Sequence, residues 1–188
     1  MPLNSSKIPG GNELINAREF LAKIGIEEGM IVGDLGCGAR GHFSLQAAKM
    51  IGPRGLVYAV DILPSALRGV EANAKMLGIN NIKTVWADLE IYGATKIPKE
   101  SLDLALLINI LFQTKKDEEI IKEAVRLIKS GGKLVICDWK KTGAPFGPLV
   151  DDRPDPEELK KIVANLGLKM EKEIEAGPYH FALVFHKD

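Results

Sequence analysis

Ile31-Val-Gly-Asp-Leu-Gly-Cys-Gly-Ala-Arg-Gly41 carries the strongest architectural signal in this chain. A brief apolar run meets an acid, then glycines at 36, 38 and 41, then a segment that reads as helix from His42. Glycine has no Cβ, so the backbone can turn sharply there and a ligand can lie against it. The helix that follows aims its free N–H groups at whatever covers the turn. The stretch reads as the strand–loop–helix of a nucleotide site. Dehydrogenases and transferases share such a loop, so the surrounding residues must choose between them.

On both sides of this loop, apolar runs of about five residues alternate with amphipathic segments, as in a parallel sheet covered by helices on both faces. Helices are expected over 12–24, 42–50, 64–77, 117–128 and 156–166. Strands are expected over 30–34, 56–60, 82–86, 102–108, 133–137, 168–175 and 181–186. Gly131-Gly132 reads as the stop of the fourth helix. Only Ala176-Gly-Pro-Tyr-His180 separates the last two strands, so they should pair antiparallel.

A length of 188 residues suits one domain, 1–188, with residues 1–25 as an N-terminal helix and lid and 26–188 as the core. Lys plus Arg number 25 and Asp plus Glu number 25, which argues against a broad electrostatic footprint for nucleic acid or an anionic membrane. Cys37 and Cys137 form no CxxC pair and histidines number only 3, so no metal site is expected and both thiols read as small buried apolar groups. Met1 to Ile8 lacks the basic and apolar regions of a signal peptide, and the run Leu104 to Ile108 is far short of a membrane span. A soluble, cytoplasmic chain without a membrane span is expected.

Three acids fall at strand ends: Asp34, Asp61 and Asp88. Ligands of an open doubly wound sheet bind beyond those ends. A carboxylate accepts hydrogen bonds and donates none, so Asp61 suits a ribose diol and Asp88 an exocyclic adenine amine, with Ile62 over the ring and Trp86 and Leu89 beside it. The bland alternative for each acid is a helix cap or loop solvation, and it is weakest for Asp61 because Pro64 already opens the helix. A pyrophosphate would avoid the charge of Asp34 inside the glycine motif. A sulfonium nucleoside with an α-ammonium group tolerates it, and its carboxylate can use the loop N–H groups. S-adenosylmethionine is therefore favoured over NAD.

These residues bring the chain to a family. It resembles the class I S-adenosylmethionine-dependent methyltransferases, in the small single-domain branch similar to ubiquinone/menaquinone-biosynthesis methyltransferases, over about residues 12–188. The resemblance rests on Asp34-Leu-Gly-Cys-Gly38, Gly52-Pro-Arg-Gly-Leu-Val-Tyr-Ala-Val-Asp61, Ala87-Asp88 and Leu127-Ile-Lys-Ser-Gly-Gly-Lys-Leu-Val-Ile136. Asp138-Trp-Lys-Lys141, Phe146-Gly-Pro148 and Gly177-Pro-Tyr-His180 also look like segments of compact members. It implies an α/β, Rossmann-like doubly wound seven-stranded sheet ordered 3-2-1-4-5-7-6 with strand 7 antiparallel. It implies S-adenosyl-L-methionine as cofactor, held by Asp34, Gly36, Cys37, Gly38, Gly41, Asp61, Ile62, Ala87, Asp88, Leu89 and Asn109. Arg40 stands where such loops carry a third glycine, leaving two options: Ala39-Arg40 bulges outward as an insertion, or Arg40 folds over the pocket.

Methyl transfer from a sulfonium needs proximity and alignment, plus a base when the acceptor must lose a proton. The acceptor should approach over the end of strand four, at Asn109-Ile-Leu-Phe-Gln113, which lacks the Pro-Pro-aromatic signature of nucleic-acid amine methylation. Catalytic candidates are Asn109, Asp138 beside Trp139, Tyr179 and His180, none of them a clear base. Lys140-Lys141 and Lys115-Lys116 read either as a rim for an anionic acceptor or as solvated surface. Covers for the pocket are the N-terminal segment, residues 1–20, with Ser5–Asn12 as a mobile lid, and the loop Lys141–Pro154. A small-molecule acceptor is expected. Alternatives are an RNA or protein methyltransferase, a non-catalytic S-adenosylmethionine-binding module and, last, an NAD-dependent oxidoreductase. A monomer and a homodimer fit equally.

Overall fold

The central parallel strands are buried on both faces, so their sequences are nearly continuous apolar runs rather than alternating ones. The computed structural model describes residues 14–141 and 146–188. The expected lid, Ser5–Asn12, lies outside them, as does the middle of the loop after strand five. The strands are β1 (Ile31–Leu35), β2 (Leu56–Asp61), β3 (Ile82–Trp86), β4 (Leu102–Ile108), β5 (Ile128–Trp139), β6 (Leu168–Glu175) and β7 (His180–Lys187). They form one seven-stranded sheet in the order β3-β2-β1-β4-β5-β7-β6. All neighbouring pairs are parallel except those that β7 makes with β5 and β6. The expected order and the reversed last strand are both borne out.

Among the described residues five α-helices cover the sheet: α1 (Ala17–Ile24), α2 (His42–Ile51), α3 (Pro64–Met76), α4 (Asp117–Leu127) and α5 (Pro156–Asn165). Side-chain alternation along β5 and β7 divides the core. Leu134, Ile136, Leu183 and Phe185 pack with Ile121, Leu127, Leu159 and Val163 of α4 and α5. Val135, Cys137, Ala182 and Val184 join Phe20, Phe43 and Ile51 of α1 and α2 on the other face.

Two boundaries differ from the sequence reading by several residues, each for a local reason. The first helix begins at Ala17, because the Asn16 side chain accepts from the Glu19 N–H at 3.2 Å and so caps it there. The fifth strand begins at Ile128, not 133, and contains Gly131-Gly132. Leu102 pairs with Ile128 and Leu104 with Lys133, so the glycines form a bulge inside the strand instead of a turn before it. A Cβ on Gly132 would lie 2.7 Å from Ile128 Cγ2 and 2.9 Å from the Leu102 carbonyl oxygen, which reserves the place for glycine.

Candidate functional site

β1 ends in the glycine loop, and each glycine has a distinct task. Gly36 adopts φ +93°, and a Cβ there would meet Ile110 Cγ2 at 2.4 Å. Only glycine fits between the loop and the turn after β4. Its N–H and that of Cys37 both donate to the Val60 carbonyl, at 2.8 and 2.9 Å, tying the loop to the end of β2. Gly38, at φ +64°, has nothing within 4 Å of its would-be Cβ, so its backbone is bare toward a ligand. Gly41, at φ +58°, is the residue from which α2 starts.

Asp61 organises the rim. One carboxylate oxygen accepts the Gly38 N–H at 2.9 Å and the other accepts the Leu63 N–H at 2.9 Å. Each oxygen retains a lone pair for an outside donor. The N–H groups of Gly36, Cys37 and Gly38 are thereby engaged within the protein. A pyrophosphate would need such groups and a nucleoside does not; the expectation that a methionine carboxylate uses the loop N–H groups is not met at these three.

Beyond the loop lies a cleft of about 530 Å³, within the range of small-ligand sites. Of the expected cofactor residues, Gly36, Gly38, Asp61, Ile62, Ala87, Asp88, Leu89 and Asn109 line it. Asp34, Cys37 and Gly41 do not line it. Asp34 is 2% exposed and accepts a 2.5 Å hydrogen bond from the Ser44 hydroxyl. Burial pushes its pKa up to about 6 despite that bond. Cys37 packs with Ala59, Leu67 and Val70, and burial pushes its thiol far above the ordinary range, so it offers no thiolate.

Asp88 accepts the Glu90 N–H at 2.9 Å, which turns the chain after β3 into the cleft. Trp86 does not flank the cleft; its exposed ring donates to the Ile62 carbonyl at 2.8 Å and so fixes the backbone of that wall. Sequence reasoning missed Glu90 and Thr114 as wall residues. The Thr114 hydroxyl donates to Glu90 at 2.7 Å, and Lys116 pairs with Glu90 at 3.0 Å, joining the turns after β3 and β4. Thr114 and then Lys116 hold the Glu90 carboxyl below its usual range. No local pattern announces this pair, because its members come from separate loops.

Asn109 ends β4 in the left-handed region, at φ +55°, an uncommon conformation for a residue with a side chain. Its N–H donates to the Cys137 carbonyl at 2.8 Å and its carbonyl accepts from the Gln113 amide at 2.9 Å. Asp138 sits under this turn, fully buried, accepting the N–H groups of Leu111 at 3.0 Å and Trp139 at 2.8 Å. Burial pushes its pKa up to about 7. It supports the turn and does not line the cleft. Tyr179 and His180 stand apart from the cleft, at the start of β7 with Trp139 of β5. Arg40 is exposed outside the cleft, on another surface hollow with Arg18, His42 and Lys49, and its carbonyl accepts from Asn73 at 3.3 Å. Of the two options, Arg40 folding over the pocket is not found, but the outward bulge holds for Arg40 alone, because Ala39 lines the cleft.

Residues 26–174 match the family model described as "Methyltransferase domain". The chain belongs to this family. Among curated relatives it is 28% identical over 118 residues to a ubiquinone/menaquinone biosynthesis C-methyltransferase of Pasteurella multocida, covering 62% of this chain and 42% of that protein. It is 32% identical over 131 residues to a probable cobalt-precorrin-6B C(15)-methyltransferase (decarboxylating) of Saccharolobus solfataricus, covering 69% of this chain and 62% of that protein. The chain thus spans less than two thirds of either relative. A solved SAM-dependent methyltransferase of Aquifex aeolicus superposes with a TM-score of 0.84 at 25% identity, covering 94% of this chain and 92% of the other. The expectation of an S-adenosylmethionine-dependent methyltransferase fold and cofactor is borne out at the level of family.

Proposed function

We propose that the cleft holds S-adenosylmethionine and that the chain transfers its methyl group to a small-molecule acceptor. The observation that carries this is the pairing of two strand-end carboxylates, Asp61 and Asp88, across an apolar slot beside the bare backbone of Gly38. Asp61 would accept from the ribose hydroxyls and Asp88 from the adenine amine, with Ile62 and Leu89 against the ring. The loop from Gly36 to Gly38 would hold the methionine part, with Asn109 on the acceptor side. When bound, the sulfonium supplies an activated methyl carbon.

The chain's own part is positioning. Gly36 lets the loop pass under Ile110, and Asp61 holds the loop by its Gly38 bond before any ligand arrives. Asp34 lies behind the loop with a raised pKa, a group whose ionised form a cationic ligand would favour. Asp138 keeps the turn carrying Asn109, Ile110 and Gln113 at the end of β4. Proximity and alignment account for the larger part of the acceleration such a displacement needs.

Calorimetric titration with S-adenosylmethionine, S-adenosylhomocysteine and NAD tests the cofactor. Binding of the first two without NAD is expected, and binding of NAD alone would overturn the reading. Transfer of a labelled methyl group from S-adenosylmethionine into separated metabolite, RNA and protein fractions tests the acceptor, with label expected in the metabolites.

A further inference from the structure

Two turns that are distant in sequence share the cleft wall: the turn after β3 supplies Asp88, Leu89 and Glu90, and the turn after β4 supplies Ile110, Gln113 and Thr114. They meet at Glu90. Its carboxylate accepts the Thr114 hydroxyl at 2.7 Å with one oxygen and pairs with Lys116 at 3.0 Å with the other. The Thr114 oxygen in turn accepts the Lys116 backbone N–H at 2.9 Å, so the two partners of Glu90 hold each other in place. On the β3 side, the Glu90 N–H donates to Oδ1 of Asp88 at 2.9 Å. A bond to one oxygen sets the rotation of the whole carboxylate, and with it the direction of the lone pairs that remain for a ligand.

The rest of the same loop is fixed by other means. Glu123 of α4 is fully buried, accepts the N–H groups of Gly93 at 2.7 Å and Thr95 at 3.3 Å, accepts the Thr95 hydroxyl, and pairs with Arg126 at 2.7 Å. Arg126 also donates to the Thr95 carbonyl at 3.2 Å. A buried network with its bonds made is rigid. Losing the Glu90 clasp therefore frees only the few residues from Asp88 to Tyr92. The side chains of Lys116 and Glu90 are 59% and 32% exposed, and an ion pair so open to water contributes little to folding. Stability is thus a poor reason for three polar groups to converge at the cleft wall, and orientation is a better one. Charge agrees with this. Asp88 and Glu90 are two carboxylates on one wall, and the Lys116 ammonium is stabilised first by Glu90 and then by Asp88. It offsets Glu90 and leaves Asp88 as the acceptor presented to a ligand.

We propose that Glu90, clasped by Thr114 and Lys116, is a positioning residue that aims Asp88, and that the clasp makes the cleft select a purine with an amine at C6 over one with a carbonyl there. This rests on the cofactor reading above and goes beyond it: Asp88 makes the contact, and the clasp decides whether the contact discriminates. A well-aimed carboxylate accepts from the exocyclic amine but meets a carbonyl oxygen lone pair to lone pair. A site built to pair with one donor rejects the analogue that lacks it, because a polar group of the site is then left without a partner. A carboxylate free to rotate away escapes that conflict and loses the selectivity with it. The same clasp ties the turn carrying Asp88 to the turn carrying Asn109, so the adenine side and the acceptor side of the cleft are held as one wall.

The test is calorimetry on the full chain with S-adenosylhomocysteine and with S-inosylhomocysteine, which carries a 6-oxo group in place of the amine. The wild type should prefer the first by about tenfold or more. Glu90→Ala keeps the backbone N–H that Asp88 accepts and removes only the clasp. It should cost S-adenosylhomocysteine about tenfold in affinity and the inosyl analogue less than about twofold, so that the preference shrinks. Thr114→Val, which removes the hydroxyl at nearly constant volume, should shrink it in the same direction, and Thr114→Ser should restore it. A purely structural role would weaken both ligands alike, and an unchanged ratio in Glu90→Ala and Thr114→Val would overturn the assignment. A Thr114→Ser protein that behaves like Thr114→Val would overturn it as well, by placing the effect in packing instead of the hydroxyl. A wild type that binds neither ligand would instead remove the cofactor reading, and the role of the clasp with it.

Discussion

The tips of β1, β2 and β3 and the tips of β4, β5 and β7 are finished by different physical means. On the first side the protein has completed its own hydrogen bonds: Gly36, Cys37, Gly38, Leu63 and Glu90 all have N–H partners at the rim. The ligand is left with spare lone pairs and bare backbone. The second side holds unusual local states: a left-handed Asn109, a buried Asp138 and a His180 with two unpaired nitrogens. A preformed half of this kind suits a constant ligand, and a half with unmet polar demand suits a variable one.

The largest effect should come from Gly36→Ala, which attacks the seam between the two sides. The added Cβ meets Ile110 at 2.4 Å, in a backbone conformation of φ +93° that alanine resists. A loss of about 2–4 kcal/mol of stability is expected in urea unfolding, from overpacking and backbone strain together. Wild-type stability in that variant would show that the seam yields and the halves are not rigidly coupled. Asp61→Ala comes next and acts on the preformed side alone. It strands two N–H groups and removes the proposed ribose acceptor, so S-adenosylhomocysteine affinity should fall by about 1–3 kcal/mol in calorimetry. Unchanged affinity would remove Asp61 from its assigned place.

That first side was the legible one. Asp61 and Asp88 stand where an apolar run stops, and the glycine loop follows its strand directly, so both are features of contiguous sequence. The position of Asp34 was less so, because what holds it under the loop is the hydroxyl of Ser44 in the next helix. The other side is assembled across long separations: Thr114 with Glu90, Asp138 with Leu111, His180 with Trp139. Tyr179, His180 and Asp138 were recognisable as chemical groups. Their burial and partners arise from strand pairing, which no local pattern records. Gly131-Gly132 misled for a related reason, since a bulge and a helix stop use the same residue type.

Titration separates the halves by a smaller effect. The pKa of Asp138 is raised from 3.8 to about 7, that of Asp117 from 3.8 to about 6 and that of Asp34 from 3.8 to about 6, all chiefly by burial. Each acid ionises first in the unfolded chain, so the stability it confers is full below about pH 4 and lost as pH rises towards about 6 to 7. His180 works the other way: with its pKa lowered from 6.5 to about 4, the unfolded chain takes up the proton first and stability falls as pH drops through that window. Three acids oppose one histidine, so melting temperature should decline from pH 5 to pH 7 and then level off. Asp138→Asn should flatten the decline more than Asp34→Asn, because its window is the wider. An Asp138→Asn profile matching the wild type would mean that its burial carries no such cost.

The smallest effect is expected at Arg40, and its smallness is informative. This residue breaks the usual glycine spacing, and one sequence-level option placed it over the pocket. Its exposed position in a separate hollow with Arg18, His42 and Lys49 gives it no place on the cleft wall. Its backbone carbonyl accepts from Asn73 of α3, a bond that a side-chain substitution leaves in place. Arg40→Ala should therefore change S-adenosylhomocysteine affinity by less than about 0.5 kcal/mol, the usual range for a surface substitution. A larger loss of affinity would bring Arg40 into the cleft's working environment. The preformed half would then depend on a side chain, not on backbone geometry alone.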